Sequence, residues 1–317
     1  MPKARSFSAI AIVAIIAFAS TFASAQLRLP RPSQWSSVTQ TVGVTDITIN
    51  YSRPAVKGRT IWGEAPKDSY AKGEATLDDQ NKRPEGMVIV PYGHVWRTGA
   101  NEATQFVITD DVTINGQKLA AGKYSLHTIP GKDEWTVIVN SDAGQWGSFN
   151  YDPAKDVMRF KTKPQWVSDS QEFLGFSIEP TSDRAAVVNI RWEKVRVPFT
   201  VEVDVPTVAL TKARAAVAAA KPDDWRTPLN AAGYARSVKS DADAKAWLDA
   251  ALKAADASIA AKPTYMGYVG KFNVLWNAGR KDEAFSVADQ AIAQGKTDKA
   301  DTAAFEKRVA DLKAGKM

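Results

Sequence analysis

Thr45-Asp46-Ile47-Thr48-Ile49-Asn50-Tyr51 alternates polar and apolar side chains from Asp46 onward. Period-two alternation marks a strand with one face in a core and the other face wet. The same texture recurs outward from this stretch. Asp111 to Ile114 and Gln117 to Leu119 flank Asn115-Gly116, a dipeptide that accepts the positive φ angles of a tight hairpin turn. Gly122 to Ile129 and Glu134 to Asn140 flank a second turn signal, Pro130-Gly131-Lys132-Asp133. Gln105 to Thr109, Val157 to Lys161, Glu172 to Ile178, Ala185 to Trp192 and Phe199 to Val205 are further strand candidates. Short strands at this spacing, with no helical pattern between them, predict an antiparallel β domain over residues 26–206, either a sandwich or a barrel.

One segment interrupts the rhythm. Residues 63–86 are polar and charged and carry Pro66, Gly73 and Pro84, which predicts a long surface loop, either a binding lid or a mobile excursion. After Val205 the texture changes: Pro206 marks a boundary and alanine becomes dominant. Trp247, Leu248, Ala251, Leu252, Ala255 and Ile259 follow the 3.6-residue period of one helix face. Ser240 with Asp243 predicts a capped start for that helix. Tyr265 to Gly279 reads as a second helix ended by a left-handed glycine, and Asp282 to Ala293 as a third with Ala284, Phe285, Ala288, Ala291 and Ile292 inward. An all-α domain of helical hairpins is therefore expected over 207–317. With Gly279, Ala284 and Ala291 at its tight contacts, this region resembles a tetratricopeptide unit.

The first residues read as an export signal. Lys3 and Arg5 precede an unbroken apolar run from Ala9 to Ala19, and small residues follow up to Ala23-Ser24-Ala25. That arrangement predicts cleavage after Ala25, a signal peptide at 1–25, and a location outside the cytoplasm, periplasmic or secreted. The run is shorter than the ~20 residues that span a bilayer, so no stable membrane anchor is expected. The chain has no cysteine, which excludes disulfides, thiol nucleophiles and a lipid anchor built on cysteine. Its net charge is +6. Residues 26–206 hold 21 basic and 22 acidic groups, and residues 207–317 hold 18 and 13. The excess is dispersed at helical spacing among acidic residues, not gathered in a stripe, so nucleic acid is not an expected partner.

Three segments, VTQTVGVTDITINYSRPAVKGRTIWG (38–63), VPYGHVWRTGANEAT (90–104) and AGKYSLHTIPGKDEWTVIVN (121–140), together resemble domain-of-unknown-function family 2911. The resemblance covers most of residues 33–205, and Trp96 to Thr104 is its most specific part. It implies an exported β domain, sometimes followed by tetratricopeptide-like helices. It implies no activity, cofactor or catalytic residue. The stretch 63–86 departs from the compact family pattern.

The densest polar constellation is Arg97, Thr98, Asn101, Glu102 and Thr104 beside Trp62 and Trp96, with His127 as a further candidate. Arginine offers a rigid donor fork, asparagine a paired donor and acceptor, and glutamate a charge or general base. An aromatic face beside such groups suits a sugar or a peptide terminus. The competing reading is that Arg97 and Glu102 pair while Gly99 and Asn101 shape a turn that locks two strands. His127 lies two residues after Ser125, so both belong to one face of a strand. Two histidines and no H-E-x-x-H spacing predict no metal site, and no phosphate loop or nucleophile elbow predicts a cofactor.

Three functions compete at this level. The first is a non-catalytic envelope protein that takes a small-molecule, glycan or peptide ligand on the β domain and a protein partner on its helical tail. The second is a hydrolase acting on a glycan or cell-wall fragment through Glu102 and a second carboxylate or His127. The third is a purely structural module. Burial of Arg97, Asn101, Glu102 and His127 discriminates among them.

Overall fold

The structure is a computed structural model that describes residues 29–64 and 88–316. The expected signal peptide at 1–25, and all of the expected loop at 63–86 except residues 63 and 64, lie outside the described residues. The chain divides into a unit ending at Pro32 and a unit from Ser33 onward; the architecture below belongs to the second.

Its strands are β1 Gln34–Val42, β2 Thr45–Arg53, β3 Trp62–Gly63, β4 Val90–Pro91, β5 Thr104–Ile108, β6 Val112–Ile114, β7 Gln117–Leu119, β8 Gly122–Ile129, β9 Trp135–Asn140, β10 Asp156–Thr162, β11 Gln165–Ser182 and β12 Ala185–Glu202. Six of them form a sheet in the order β1-β2-β5-β8-β9-β10, and four form a second sheet, β11-β12-β6-β7. Every pairing within these two sheets is antiparallel. The short β3–β4 pair is parallel.

Alternation does the expected work. Ile47, Ile49 and Tyr51 of β2, Phe106 of β5 and Val137 of β9 are buried in one cluster with Ile114, Phe176, Val188 and Val197 of the other sheet. The two sheets therefore share a single core face to face, which decides for a sandwich over a barrel. At Asn115-Gly116 both residues adopt positive φ, as the hairpin reading required.

One expectation needs correction. Ala185 to Trp192 and Phe199 to Val205 are not two strands but parts of one eighteen-residue strand, β12, interrupted at Glu193, whose φ is +52. The buried positions run Val188, Ile190, Trp192 and then Val195, Val197, Phe199, Val201. A bulge residue has shifted the inward parity by one, which the sequence shows only as a break in the alternation.

Six helices follow: α1 Val205–Ala219, α2 Arg226–Ser237, α3 Asp241–Ala261, α4 Tyr265–Asn277, α5 Lys281–Asp298 and α6 Ala303–Lys313. Consecutive helices from α1 to α6 pack on one another, as hairpins do. The inward stripes match expectation: Ala251 and Ala255 of α3 and Ala284, Ala288 and Ala291 of α5 are fully buried. Gly279, with φ +77, ends α4. The start of α3 differs in detail, because Ser240 donates its hydroxyl to the Asp243 carboxylate at 2.7 Å and makes no side-chain bond to the backbone. Arg214 of α1 holds the same carboxylate at 2.6 Å, so the pair serves helix packing.

The junction of sheet and helices is specific. Val205 and Val208 pack against the sandwich core, and Lys212 donates to Asp110 at 2.7 Å and to the Val44 carbonyl at 2.6 Å. Among the described residues no helix is long and apolar enough to cross a membrane.

Candidate functional site

Sheet register builds the site. Ser37 pairs with Asn50, Asn50 with Gln105, Gln105 with Ser125, Ser125 with Asn140, and Asn140 with Asp156. Directly opposed residues on neighbouring strands face the same side. One rung of six polar side chains therefore crosses the whole outer face of the larger sheet. Ser125 and Asn140 on this rung are nonetheless fully buried, so something covers them.

The cover is the segment between β9 and β10, residues 141–155, and the rung is its anchor. Gln105 Nε2 donates to the Ala143 carbonyl at 3.1 Å. Gln145 Nε2 donates to Ser125 Oγ at 3.4 Å and to the Asp142 carbonyl at 3.1 Å. Asn140 Nδ2 donates to the Asp152 carbonyl and to Asp156 Oδ1, while its Oδ1 accepts from the Asp142 amide. Lys155 closes the segment on Asp142 at 2.9 Å, and that bond, with a smaller contribution from His127, holds the Asp142 carboxyl below its ordinary pKa against burial. Beside the rung, Tyr151 donates to Asp156 at 2.8 Å and accepts from Arg159 at 2.7 Å. Burial first, and the Asp156 bond second, push its phenol far above the usual tyrosine range.

Residues 96–104 form the second half of the cover, and the chain crosses the end of the sandwich there. Trp96 exchanges both backbone hydrogen bonds with Thr128 of β8, at 2.8 and 2.9 Å. Its indole enters the core among Trp62, Trp135 and Trp192 with ring centroids 5.7, 6.4 and 5.9 Å away, and its Nε1 donates to the Gly99 carbonyl at 3.1 Å. The neighbouring Val95 instead joins Ile129, Ile138 and Tyr151 in a small apolar cluster on the outer face. Thr98 and Asn101 both adopt left-handed backbone, with φ of +52 and +60. Such φ costs a residue with a β-carbon about 1–2 kcal/mol, and the local bonds hold it. Thr98 Oγ1 lies 3.1 Å from Thr128 Oγ1, and Thr104 Oγ1 donates to the Thr98 carbonyl at 2.8 Å. Asn101 Nδ2 donates to Ser52 Oγ and to the Ser33 carbonyl, both at 3.2 Å.

The two halves are stitched together. Glu102 and Trp146 form a β-bridge, the Gly147 amide donates to the Asn101 carbonyl at 2.9 Å, and the Ala103 amide to the Gln145 carbonyl at 3.1 Å. On this tied-down backbone, Trp146 and Phe149 stand 56% and 43% exposed.

The candidate residues thus separate. Trp96, Thr98 and His127 are buried, with the His127 ring 5.1 Å from that of Tyr151; they belong to the interior of the cover. Arg97, Asn101 and Glu102 are half-buried at its surface, and Glu102 pairs with Trp146. His127 and Ser125 do share a face, as their spacing required, and both are sealed. Trp146 and Phe149 escaped the sequence reading. Their signal is the run Gln145-Trp146-Gly147-Ser148-Phe149, with two large aromatics in a turn-rich stretch between strands. Among the described residues no cluster of three or more histidine, aspartate or glutamate side chains is placed to hold a metal ion.

A two-sheet sandwich with a roofed polar rung on one face is the class of domain defined here. A family model described as a protein of unknown function, DUF2911, matches residues 33–201, and the chain belongs to that family. The matched span begins just before β1 and ends within β12, so the helices lie outside it. No curated protein and no solved structure matches the chain.

Proposed function

We propose that this chain is an exported, non-catalytic binding protein of the bacterial envelope, and that the roof over the larger sheet is its ligand surface. The leader-like residues 1–25 support export. The observation that carries the binding reading is the display of Trp146 and Phe149, both strongly exposed, on backbone bonded to residues 101–103. Exposing large aromatics to water is unfavourable, and holding them on rigid backbone removes the ordering cost that a flexible loop would meet on binding. Tryptophan on such a surface gives large contact area and little entropy loss.

Arg97, Asn101 and Glu102 supply the polar edge beside that aromatic face. The combination suits a ligand with a flat apolar surface and a rim of hydroxyl or carboxylate groups, and a cell-wall glycopeptide fragment offers both. The helical hairpins would serve a protein partner.

The test is calorimetric titration of the full chain with a disaccharide–peptide muropeptide, with the disaccharide alone and with the stem peptide alone. Saturable binding that Trp146→Ala weakens by about tenfold, at unchanged melting temperature, supports the reading. The arm that retains the heat identifies the recognised half. Absence of saturable binding in all three arms refutes it.

A further inference from the structure

A second site lies away from the roof, where β11 and β12 bend beside the end of β2. Arg196 follows Arg191 by five positions, an odd spacing that in a regular strand would send the two side chains to opposite faces. The bulge at Glu193 cancels that parity: Ile190 and Trp192 before it, and Val195 and Val197 after it, all point into the core. Both arginines therefore stand on the outer side. Register shifts in β11 between Trp166 and Gln171 and between Gln171 and Gly175 loosen the partner strand at the same level.

The result is a recess of about 450 Å³ lined by Arg53, Arg191, Arg196, Gln171 and Asn189, among others, with Glu179 as the single carboxylate. Volumes from about 300 Å³ upward accommodate small ligands. The three guanidiniums are positioned by separate contacts. Arg53 Nε donates to the Leu174 carbonyl at 2.7 Å, and Arg196 donates to Gln165 Oε1 at 2.8 Å. Arg191 Nη2 donates to Asp169 at 2.7 Å, which holds that carboxyl below its ordinary pKa. Gly175 keeps the recess open, because a β-carbon there would lie 2.5 Å from Gln171 Nε2 and 3.8 Å from Arg53 Nη2.

The lining points to an occupant, because three guanidiniums gathered round one recess repel one another until an anion lies between them. We propose that this recess binds a small oxyanion with two or more carboxylate or phosphate groups, held by the Arg53, Arg191 and Arg196 forks. Three positive charges against Glu179 in the lining and the Asp169 carboxylate that Arg191 holds leave the site net positive and set the sign of the ligand, and planar guanidinium forks match either oxyanion.

The test is titration of the full chain at low salt with tricarballylate, with pyrophosphate and with neutral glycerol. The expected result is one-site binding of at least one anion and none of glycerol. Arg196→Gln, at an exposed position, and Arg191→Gln should each weaken that binding by about tenfold or more. The anion that binds separates a carboxylate ligand from a phosphate ligand. Binding by neither anion overturns the proposal. So does binding that Arg196→Gln, with an unchanged melting temperature, leaves within twofold of the parent.

Discussion

Replacing Asn101 tests whether the Trp96–Thr104 motif acts as a lock. Its side chain makes two hydrogen bonds, each 3.2 Å long, to Ser52 Oγ and the Ser33 carbonyl. Net values of about 0.5–1.5 kcal/mol per bond give about 1–3 kcal/mol for the pair. Its φ of +60 adds a second cost for alanine, since a β-carbon in left-handed backbone is unfavourable by about 1–2 kcal/mol, whereas asparagine and glycine tolerate it. Asn101→Ala should therefore destabilise the sandwich by about 2–5 kcal/mol, and Asn101→Gly by about 1–2 kcal/mol less. The assay is urea unfolding followed by near-ultraviolet circular dichroism, which reads the packed Trp62, Trp96, Trp135 and Trp192 cluster. An Asn101→Ala midpoint indistinguishable from the parent, or a glycine variant less stable than the alanine one, would refute the lock.

Further outcomes follow from other contacts. A β-carbon on Gly270 would lie 2.3 Å from the Trp225 ring. Gly270→Ala should thus lose about 1–3 kcal/mol to overpacking despite gaining about 1 kcal/mol in helix propensity, seen as an earlier thermal transition at 222 nm. Burial opposes ionisation of Asp110, but bonds from Lys212 and Thr109 outweigh it and leave its pKa lowered. A depressed folded pKa lends stability that is present above the unfolded value of about 3.9 and lost as pH falls through the folded one. Lys212→Met should flatten the acid limb of the melting-temperature profile below about pH 4, and an unaltered limb would count against the Lys212–Asp110 contact. Gly43 has φ +62, and a β-carbon there would lie 2.5 Å from a Val205 methyl. Gly43→Ala should lower the midpoint of sandwich and helices together; a loss confined to one of them would show that the junction transmits no strain.

Much of this fold is legible in the chain. Ile47, Ile49 and Tyr51 announce the inward face of β2 by alternation alone, and Asn115-Gly116 announces its hairpin. Gly279 and the alanines of α5 do the same for the helices. What escapes is whatever depends on register between distant strands. The rung from Ser37 to Asp156 joins six strands whose neighbours are up to 55 residues apart, as Asn50 and Gln105 show. No local pattern marks it. The strand β1 gives no clear local signal, because Trp35, Ser37, Thr39 and Thr41 place mostly polar groups outward and its inward positions are only partly apolar. The Glu193 bulge hides the unity of β12, and with it the meeting of Arg191 and Arg196 with Arg53. In the motif itself, residue types drew the eye to Trp96, Thr98 and His127, whose burial is set by neighbours far along the chain.

Hydrogen–deuterium exchange of the full chain, alone and saturated with muropeptide, reads the roof directly. The account predicts slow exchange at the Ala103 and Gly147 amides in the free chain, where they donate to Gln145 and Asn101. It predicts further protection across 96–104 and 141–152 on binding. Fast exchange at both amides in the free chain, or protection confined to the helices, would contradict it.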